Sequence, residues 1–346
     1  MSRARSLTAS RHRAIGRRAR HARFPAPLVR QRGVALLVAI LLVALGTIIA
    51  AAMAYSNAMT ARRAAATFGF DQAMLIAEGA EALAAEGLKI AFKQNPQYIS
   101  TSQSWAQPFG PVEAAPGVTL EAQLEDLQGR FNVNELVGSD GQDNPTAILV
   151  FQRLLQSLNL NAQLADDIAD WIDQDTTPRS EGAEDSVYMG MDPPYRTPNM
   201  PITSTSELLA MPGMTRATFD RLAPHISALP MGAKINQCTA DPWVLDALTG
   251  TIQFSADPDR FYKDRQAAGD CFPPVGQVKV QGAPPVTGPT AGGGLQSNPA
   301  DLVTQTSTYF RLTSIMTLGS TEFTVYTLLF WDPTGVHTMM RSFTPD

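Results

Sequence analysis

Val34 to Ala61 is a run of 28 residues without a charged side chain, VALLVAILLVALGTIIAAAMAYSNAMTA, and no other feature of this chain limits its architecture so strongly. As a helix rising 1.5 Å per residue it would span about 42 Å, enough to cross the ~30 Å hydrocarbon core of a bilayer with turns to spare. The 33 residues ahead of it carry ten arginines and no acid. Short basic segments resist translocation, so the expectation is a single-pass inner-membrane anchor with the N-terminus cytoplasmic and the body periplasmic.

At 346 residues the chain exceeds one ordinary domain, which makes an anchor plus two domains the starting expectation. Charge is distributed as unevenly as hydropathy. Of 27 basic residues ten precede Val34, leaving 17 against 32 acids in the remainder, a balance of about −15. Nucleic-acid affinity rests on Lys and Arg neutralising phosphates, so a body this acidic excludes a nucleic-acid partner.

The join at Gly33 separates three kinds of anchor. A secretory signal peptide has an apolar stretch of only about 7 to 15 residues and a small-residue cleavage site; Ala50 to Ala52 would supply the site, but the apolar run is too long. A plain anchor gives no reason for a basic leader ending in Arg32-Gly33 directly before the apolar run. A peptidase cutting after Gly33 on the cytoplasmic side would leave the whole helix in the mature protein.

Beyond the anchor, Arg62 to Phe92 is rich in Ala, Glu, Leu and Met and continues the helix until Asn95-Pro96. From Gly117 the alternation of Val118, Leu120, Ala122 and Leu124 predicts a half-buried strand. Pro145 to Trp171 has helical spacing, with Ile148, Phe151, Leu154, Leu155 and Leu158 on one face. The Pro- and Gly-rich stretches 176–201 and 282–299 read as loops, and the segment from Thr304 reads as a two-stranded hairpin turning at Leu318-Gly319-Ser320. One sheet interrupted by a helical insertion is the simplest architecture with this order. Cys238 and Cys271 stand in no metal-ligand spacing; they are either unrelated thiols or a pair, and an oxidising compartment favours the disulfide.

The densest polar cluster runs through Asp166, Asp167, Asp170, Asp173 and Asp175 to Glu181, Glu184 and Asp185. Hard cations want several carboxylate and carbonyl oxygens on a folded loop, which this stretch supplies, although the spacing is not that of an EF-hand. A calcium site and a solvated acidic loop stand as equal readings of the residues. Thr205 to Leu222 looks like a helix-hairpin-helix unit in which Ser206 caps the first helix, with Thr218 to Leu222 in the second; one glycine in the turn and an acidic body favour packing over phosphate binding. His225 and His337 are the only histidines outside the leader, and with no H-E-x-x-H, G-x-S-x-G or P-loop there is no catalytic residue to name.

Gln31-Arg32-Gly33 followed by Val34-Ala35-Leu36-Leu37-Val38 resembles the type IV prepilin site, where a leader peptidase cuts after Gly33 and methylates Val34. The fifth mature position, usually Glu, is here Val38. In a helical pilus that Glu neutralises a neighbour's buried ammonium, so a chain without it suits the tip, where no such neighbour exists. Together with Asp126 to Leu136, Ala169 to Asp175, Gly182 to Asp185 with Tyr188, Pro193 to Arg196 with Asn199, Ser206-Glu207-Leu208, Ile235-Asn236 with Thr239-Ala240, and Tyr309-Phe310-Arg311, the chain resembles the general secretion pathway protein K family of minor pseudopilins.

That resemblance implies an α+β fold: a type IV pilin-like N-terminal helix packed on an antiparallel sheet, with a large inserted, mainly α-helical domain. It implies a leader to residue 33, a transmembrane helix over 34–61, the pseudopilin helix and first strands over 62–130, the insertion over 131–300, and closing strands over 301–346. It also implies bound calcium, carried onto Asp173, Asp175, Glu184 and Asp185, and as partners the prepilin peptidase, the inner membrane and minor pseudopilins I and J. The function implied is a non-enzymatic one, initiating or capping a pseudopilus. A type IV pilus tip protein and a membrane-tethered periplasmic hydrolase are the competing readings.

Overall fold

The computed structural model describes residues 33–271 and 302–345. The basic leader before Gly33 and the stretch 282–299 expected as a loop lie outside the described residues. The chain forms two units, divided between Ala65 and Ala66.

Helix α1 spans Val34–Gln94. In the first unit its side chains, among them Val34, Val38, Leu41 and Ile48, are exposed, and it is the one helix among the described residues long and apolar enough to cross a membrane.

In the second unit the helix changes character. Its buried positions are Ala73, Ala77, Ala80, Glu81, Ala84, Leu88 and Ala91, a 3.6-residue stripe of mostly small side chains. That stripe packs on the sheet formed by β1 (Phe109–Ala115), β2 (Val118–Asp126), β7 (Tyr309–Leu318), β8 (Thr321–Asp332) and β9 (Gly335–Ser342), hydrogen-bonded in the order β1-β2-β7-β8-β9 with every pair antiparallel. The inward face carries Val118, Leu120 and Leu124, then Phe310, Leu312 and Met316, then Val325 and Leu329, as the two-residue period of a strand requires. Glu81 is the one acid in the stripe. Burial works against its charge, but Arg341 donates to it through Nε (2.7 Å) and Nη2 (2.8 Å), as do the Thr327 and Thr338 hydroxyls, and its pKa ends below the usual carboxylate range.

The register pairs Val118 with Leu318 and Asp126 with Phe310, so the chain leaves the sheet after Asp126 and re-enters it at Tyr309. The intervening elements are β3 (Phe131–Asn132), α2 (Pro145–Ser157), α3 (Leu164–Ile172), α4 (Asp185–Tyr188), α5 (Arg216–Leu222), β4 (Ile226–Ser227), β5 (Ile235–Asn236), α6 (Pro242–Thr249), α7 (Pro258–Ala267) and β6 (Val303–Thr304). They enclose their own core, in which Phe131 stacks on Phe151 at 5.0 Å and Leu154, Ile168, Tyr188 and Leu248 are fully buried. The architecture is thus the expected α+β one, a long helix on an antiparallel sheet interrupted by a mainly helical segment.

Several local expectations need correcting. The helical stretch from Pro145 to Trp171 is two helices, because Asn159 takes a left-handed φ of 51° after Leu158. The loop 176–201 contains the single turn α4. The first helix of the hairpin unit is a 3-10 helix over Thr205–Ala210 capped by Ser204, not Ser206, with Glu207 closing a capping box three residues on. The sheet has two strands that the sequence pattern hides. All but one of the β1 residues are exposed, which erases the alternation, and β9 follows a turn at Pro333-Thr334 as a third strand beyond the expected two-stranded hairpin. The expected turn is present, with Gly319 at φ 61°.

Cys238 and Cys271 form a disulfide, 33 residues apart in sequence. It ties the residue after α7 and its flanking turn to the buried strand end at Asn236. In the chain-entropy account, closing a loop of that size stabilises by roughly 3 to 4 kcal/mol. Cys271→Ser is therefore expected to lower the urea midpoint by a corresponding amount, as followed by circular dichroism, and added reductant should then have no further effect.

Candidate metal centre

Helix α3 reads LADDIADWI, with Ile168 buried beside Leu164 and Ile172. A helical wheel puts Asp170 away from that apolar face. Its burial comes instead from the loop that follows: Asp173 caps the helix in an extended conformation (ψ 167°), and the chain returns through Arg179 and Gly182 to Glu184, the residue ahead of α4. Gly182 allows the return, because a Cβ there would lie 2.7 Å from the Asp170 carboxyl carbon.

The result is a buried carboxylate triad. One oxygen each from Asp170, Asp173 and Glu184 lies within 4.8 Å of the other two. The three residues are 0 %, 4 % and 1 % exposed. Burial pushes the Asp170 pKa up to about 7 and that of Asp173 up to about 6, and neighbouring carboxylates push in the same direction; the Arg179 backbone amide partly offsets this at Asp170. The Glu184 pKa is raised by burial as well, against a hydrogen bond from the Thr197 hydroxyl at 3.1 Å. Asp173 Oδ1 and Glu184 Oε1 are buried and accept no hydrogen bond.

One basic side chain reaches in. Arg179 Nη1 donates to Asp170 and, at 2.7 Å, to Asp173 Oδ2, while Nη2 and Nε donate to the half-exposed Asp143. Trp171 packs edge-on against Tyr188 at 5.2 Å beside the triad.

Of the four ligands named from the sequence, Asp173 and Glu184 come together and are joined by Asp170, which was not among them. Asp175 lies at the surface and accepts from the Thr177 amide at 2.7 Å. Asp185 accepts from the Thr197 amide at 3.1 Å and faces Arg196. The donor set, all carboxylate oxygen with two acceptors unused, suits a hard cation such as calcium and offers no sulfur or imidazole to a softer metal. Among the described residues no other group of three such side chains gathers in this way. Gly33, Val34 and Val38 stand at the start of α1, and His225 pairs with Asp241 at 2.7 Å against Trp243.

A second polar centre was not recognised as one. Asp126 accepts from Gln128 N (2.9 Å), Asn236 Nδ2 (3.1 Å), Ser307 Oγ (2.6 Å) and the Thr239 hydroxyl, and Asn236 Nδ2 also donates to Ile99 O at 2.9 Å. Gln128 reaches Lys234 O with its amide and accepts from the Thr308 amide at 2.6 Å. These residues join the strand ends Asp126 and Tyr309 to the inserted elements. The helix-hairpin-helix stretch has a structural part as well, with Leu208, Met211, Met214, Phe219 and Leu222 in the core.

Comparison with known proteins gives a consistent result. The family model for type II secretion system protein K matches residues 129–231. The chain is 36 % identical over 214 residues to the type II secretion system protein K of Aeromonas hydrophila, covering 58 % of this chain and 64 % of that one. It is 38 % identical over 208 residues to the Klebsiella pneumoniae protein of that name, covering 58 % and 63 %. With the Pseudomonas aeruginosa protein it shares 34 % identity over 238 residues, 66 % of this chain and 69 % of that one. The matched region thus spans just under two thirds of the first two relatives. Among solved structures, a chain of the GspK-GspI-GspJ complex from the enterotoxigenic Escherichia coli type 2 secretion system shares the fold, with a TM-score of 0.63 and 24 % identity over 81 % of this chain and 98 % of that one.

Proposed function

The chain belongs to the type II secretion system protein K family, and we propose on that ground that it is a minor pseudopilin, acting at the tip of a periplasmic pseudopilus to initiate or cap its assembly and so support export of folded proteins. The observation that carries this reading is that α1, the one helix among the described residues long and apolar enough to cross a membrane, further along packs its buried stripe on the sheet. Such a helix serves as membrane anchor before assembly and as stalk after it. Val38 at the fifth mature position leaves no acid for a preceding subunit's ammonium, which suits a terminal place. The role is structural and needs no catalytic group. Because the structural neighbour comes from a complex with GspI and GspJ, the corresponding minor pseudopilins I and J are the partners proposed here.

In this reading the prepilin peptidase removes residues 1–33 and methylates Val34, the anchor lies in the inner membrane, and the body is periplasmic. Asp170, Asp173 and Glu184 would hold a calcium ion, which would set two positive charges among the three buried carboxylates. The chain's own part is to present those oxygens on α3 and on the return loop, and to keep water out with Trp171 and Tyr188.

The test is complementation of a strain deleted for this gene. The wild-type chain should restore exoprotein secretion and appear by intact mass without residues 1–33 and with an N-methylated Val34. A Gly33→Asp variant should stay full length and fail to restore secretion. Normal secretion in the deletion strain, with twitching or DNA uptake lost instead, would assign the chain to a type IV pilus.

A further inference from the structure

We infer that Arg179 is a built-in cation of the acidic pocket: it neutralises Asp170 and Asp173 when calcium is absent, and its side chain must withdraw before calcium can bind. The inference rests on reading the pocket as a calcium site.

Three carboxylates within 4.8 Å of one another, all nearly fully buried, repel each other strongly where water cannot screen them. The polypeptide places one positive group against them. Arg179 Nη1 binds oxygens of both Asp170 and Asp173, and these belong to the carboxylates a dication would use. A guanidinium has five donors and no acceptor, so it cannot share in coordinating a metal and can only compete with one. Meanwhile Asp173 Oδ1 and Glu184 Oε1, both buried, have no partner, so Arg179 leaves part of the pocket's acceptor capacity unused.

The surroundings allow the side chain to leave without unfolding the loop. Its Nε and Nη2 already rest on Asp143, which is 52 % exposed, so withdrawal breaks only the Nη1 contacts and keeps an ion pair outside. The Arg179 main-chain amide donates separately to Asp170 Oδ2 at 3.1 Å, and that bond keeps the loop in place whichever way the side chain points. Glu184 is held independently through Thr197. The opposite role, Arg179 as a fixed support that orients Asp170 and Asp173 for the metal, predicts the opposite effect of its removal.

Calcium binding by the detergent-solubilised full chain, stripped with chelator and followed by titration calorimetry, separates the two. Arg179→Gln is expected to bind calcium on the order of tenfold more tightly than wild type, equivalent to about 1.4 kcal/mol. It should also melt at a lower temperature than wild type in chelator. Unchanged or weaker binding by Arg179→Gln, with wild type binding normally, overturns the inference and leaves the calcium reading intact. No binding by wild type overturns both. If Arg179→Gln does not fold without calcium, Arg179→Lys decides the matter. Lysine keeps the charge but cannot span Asp170, Asp173 and Asp143, so binding about threefold tighter than wild type supports the inference, and equal or weaker binding overturns it.

Discussion

Replacing Asp126 by alanine should cost about 4 kcal/mol at pH 5 and lower the melting temperature by roughly 10 °C, because four donors that converge on its carboxyl would be left facing a void. Those donors come from separate parts of the chain: Gln128 beside it, Asn236 and Thr239 in the insertion, and Ser307 just ahead of β7. The variant therefore loosens the junction between sheet and insertion, not one local turn. The effect should depend on pH with a definite sign. Burial raises the Asp126 pKa from 3.8 to about 6, against the pull of its hydrogen-bond donors. The folded state thus binds the proton more tightly than the unfolded chain. The carboxyl's contribution is complete below about pH 4 and is lost as pH rises through about 6, by up to about 3 kcal/mol. Urea titrations at pH 5 and pH 7.5 should show the gap between wild type and Asp126→Ala narrowing at the higher pH. A gap that stays constant would mean that Asp126 keeps an ordinary pKa in the fold.

Calcium is expected to produce the other large effect. At a free concentration about a hundred times its Kd, a ligand that binds only the folded chain adds about 2.7 kcal/mol, or roughly 5 to 10 °C in melting temperature. Chelator should reverse the gain. Asp173→Ala and Glu184→Gln should each abolish the calcium-dependent shift, since each removes a carboxylate of the triad. Asp175→Ala should retain it, because the Asp175 carboxylate lies at the surface, outside the triad, and accepts from the Thr177 amide. A shift that survives Asp173→Ala but disappears in Asp175→Ala would return the site to the exposed part of the loop. Scanning calorimetry of the full chain in detergent gives both results.

The two centres were legible to different degrees. The density of carboxylates after Ala165 marks an acidic loop, which the residues alone leave open between a cation site and a solvated surface, and two members of the buried triad, Asp173 and Glu184, can be named from the family resemblance. Asp170 could not, because periodicity assigns it to the outer side of α3 and only the loop returning through Gly182 buries it. Arg179 is one basic residue among acids in the sequence; its role follows from a fork that reaches three separate aspartates. The Asp126 centre was present in the sequence as family-like words, Asp126-Leu127-Gln128-Gly129 and Ile235-Asn236 with Thr239, without any hint that they touch. No local rule links residues more than a hundred positions apart. Strands β1 and β9 were missed for a simpler reason: at the edges of a sheet, exposure removes the alternation by which strands are recognised.

What the sequence determined by itself is whatever depends on neighbours along the chain. It specifies an uncharged run long enough to span a bilayer, the sign of the charge on either side of Gly33, a helix that continues to Gln94, and a strand whose alternate residues face a core. Hydropathy, charge and a period of 2 or 3.6 are local quantities. The tertiary structure alone decided which carboxylates share a pocket, which arginine answers them, and how Asp126 joins the two ends of an interrupted sheet. Those depend on burial and on distances between remote residues, and burial is conferred on a side chain by other parts of the chain.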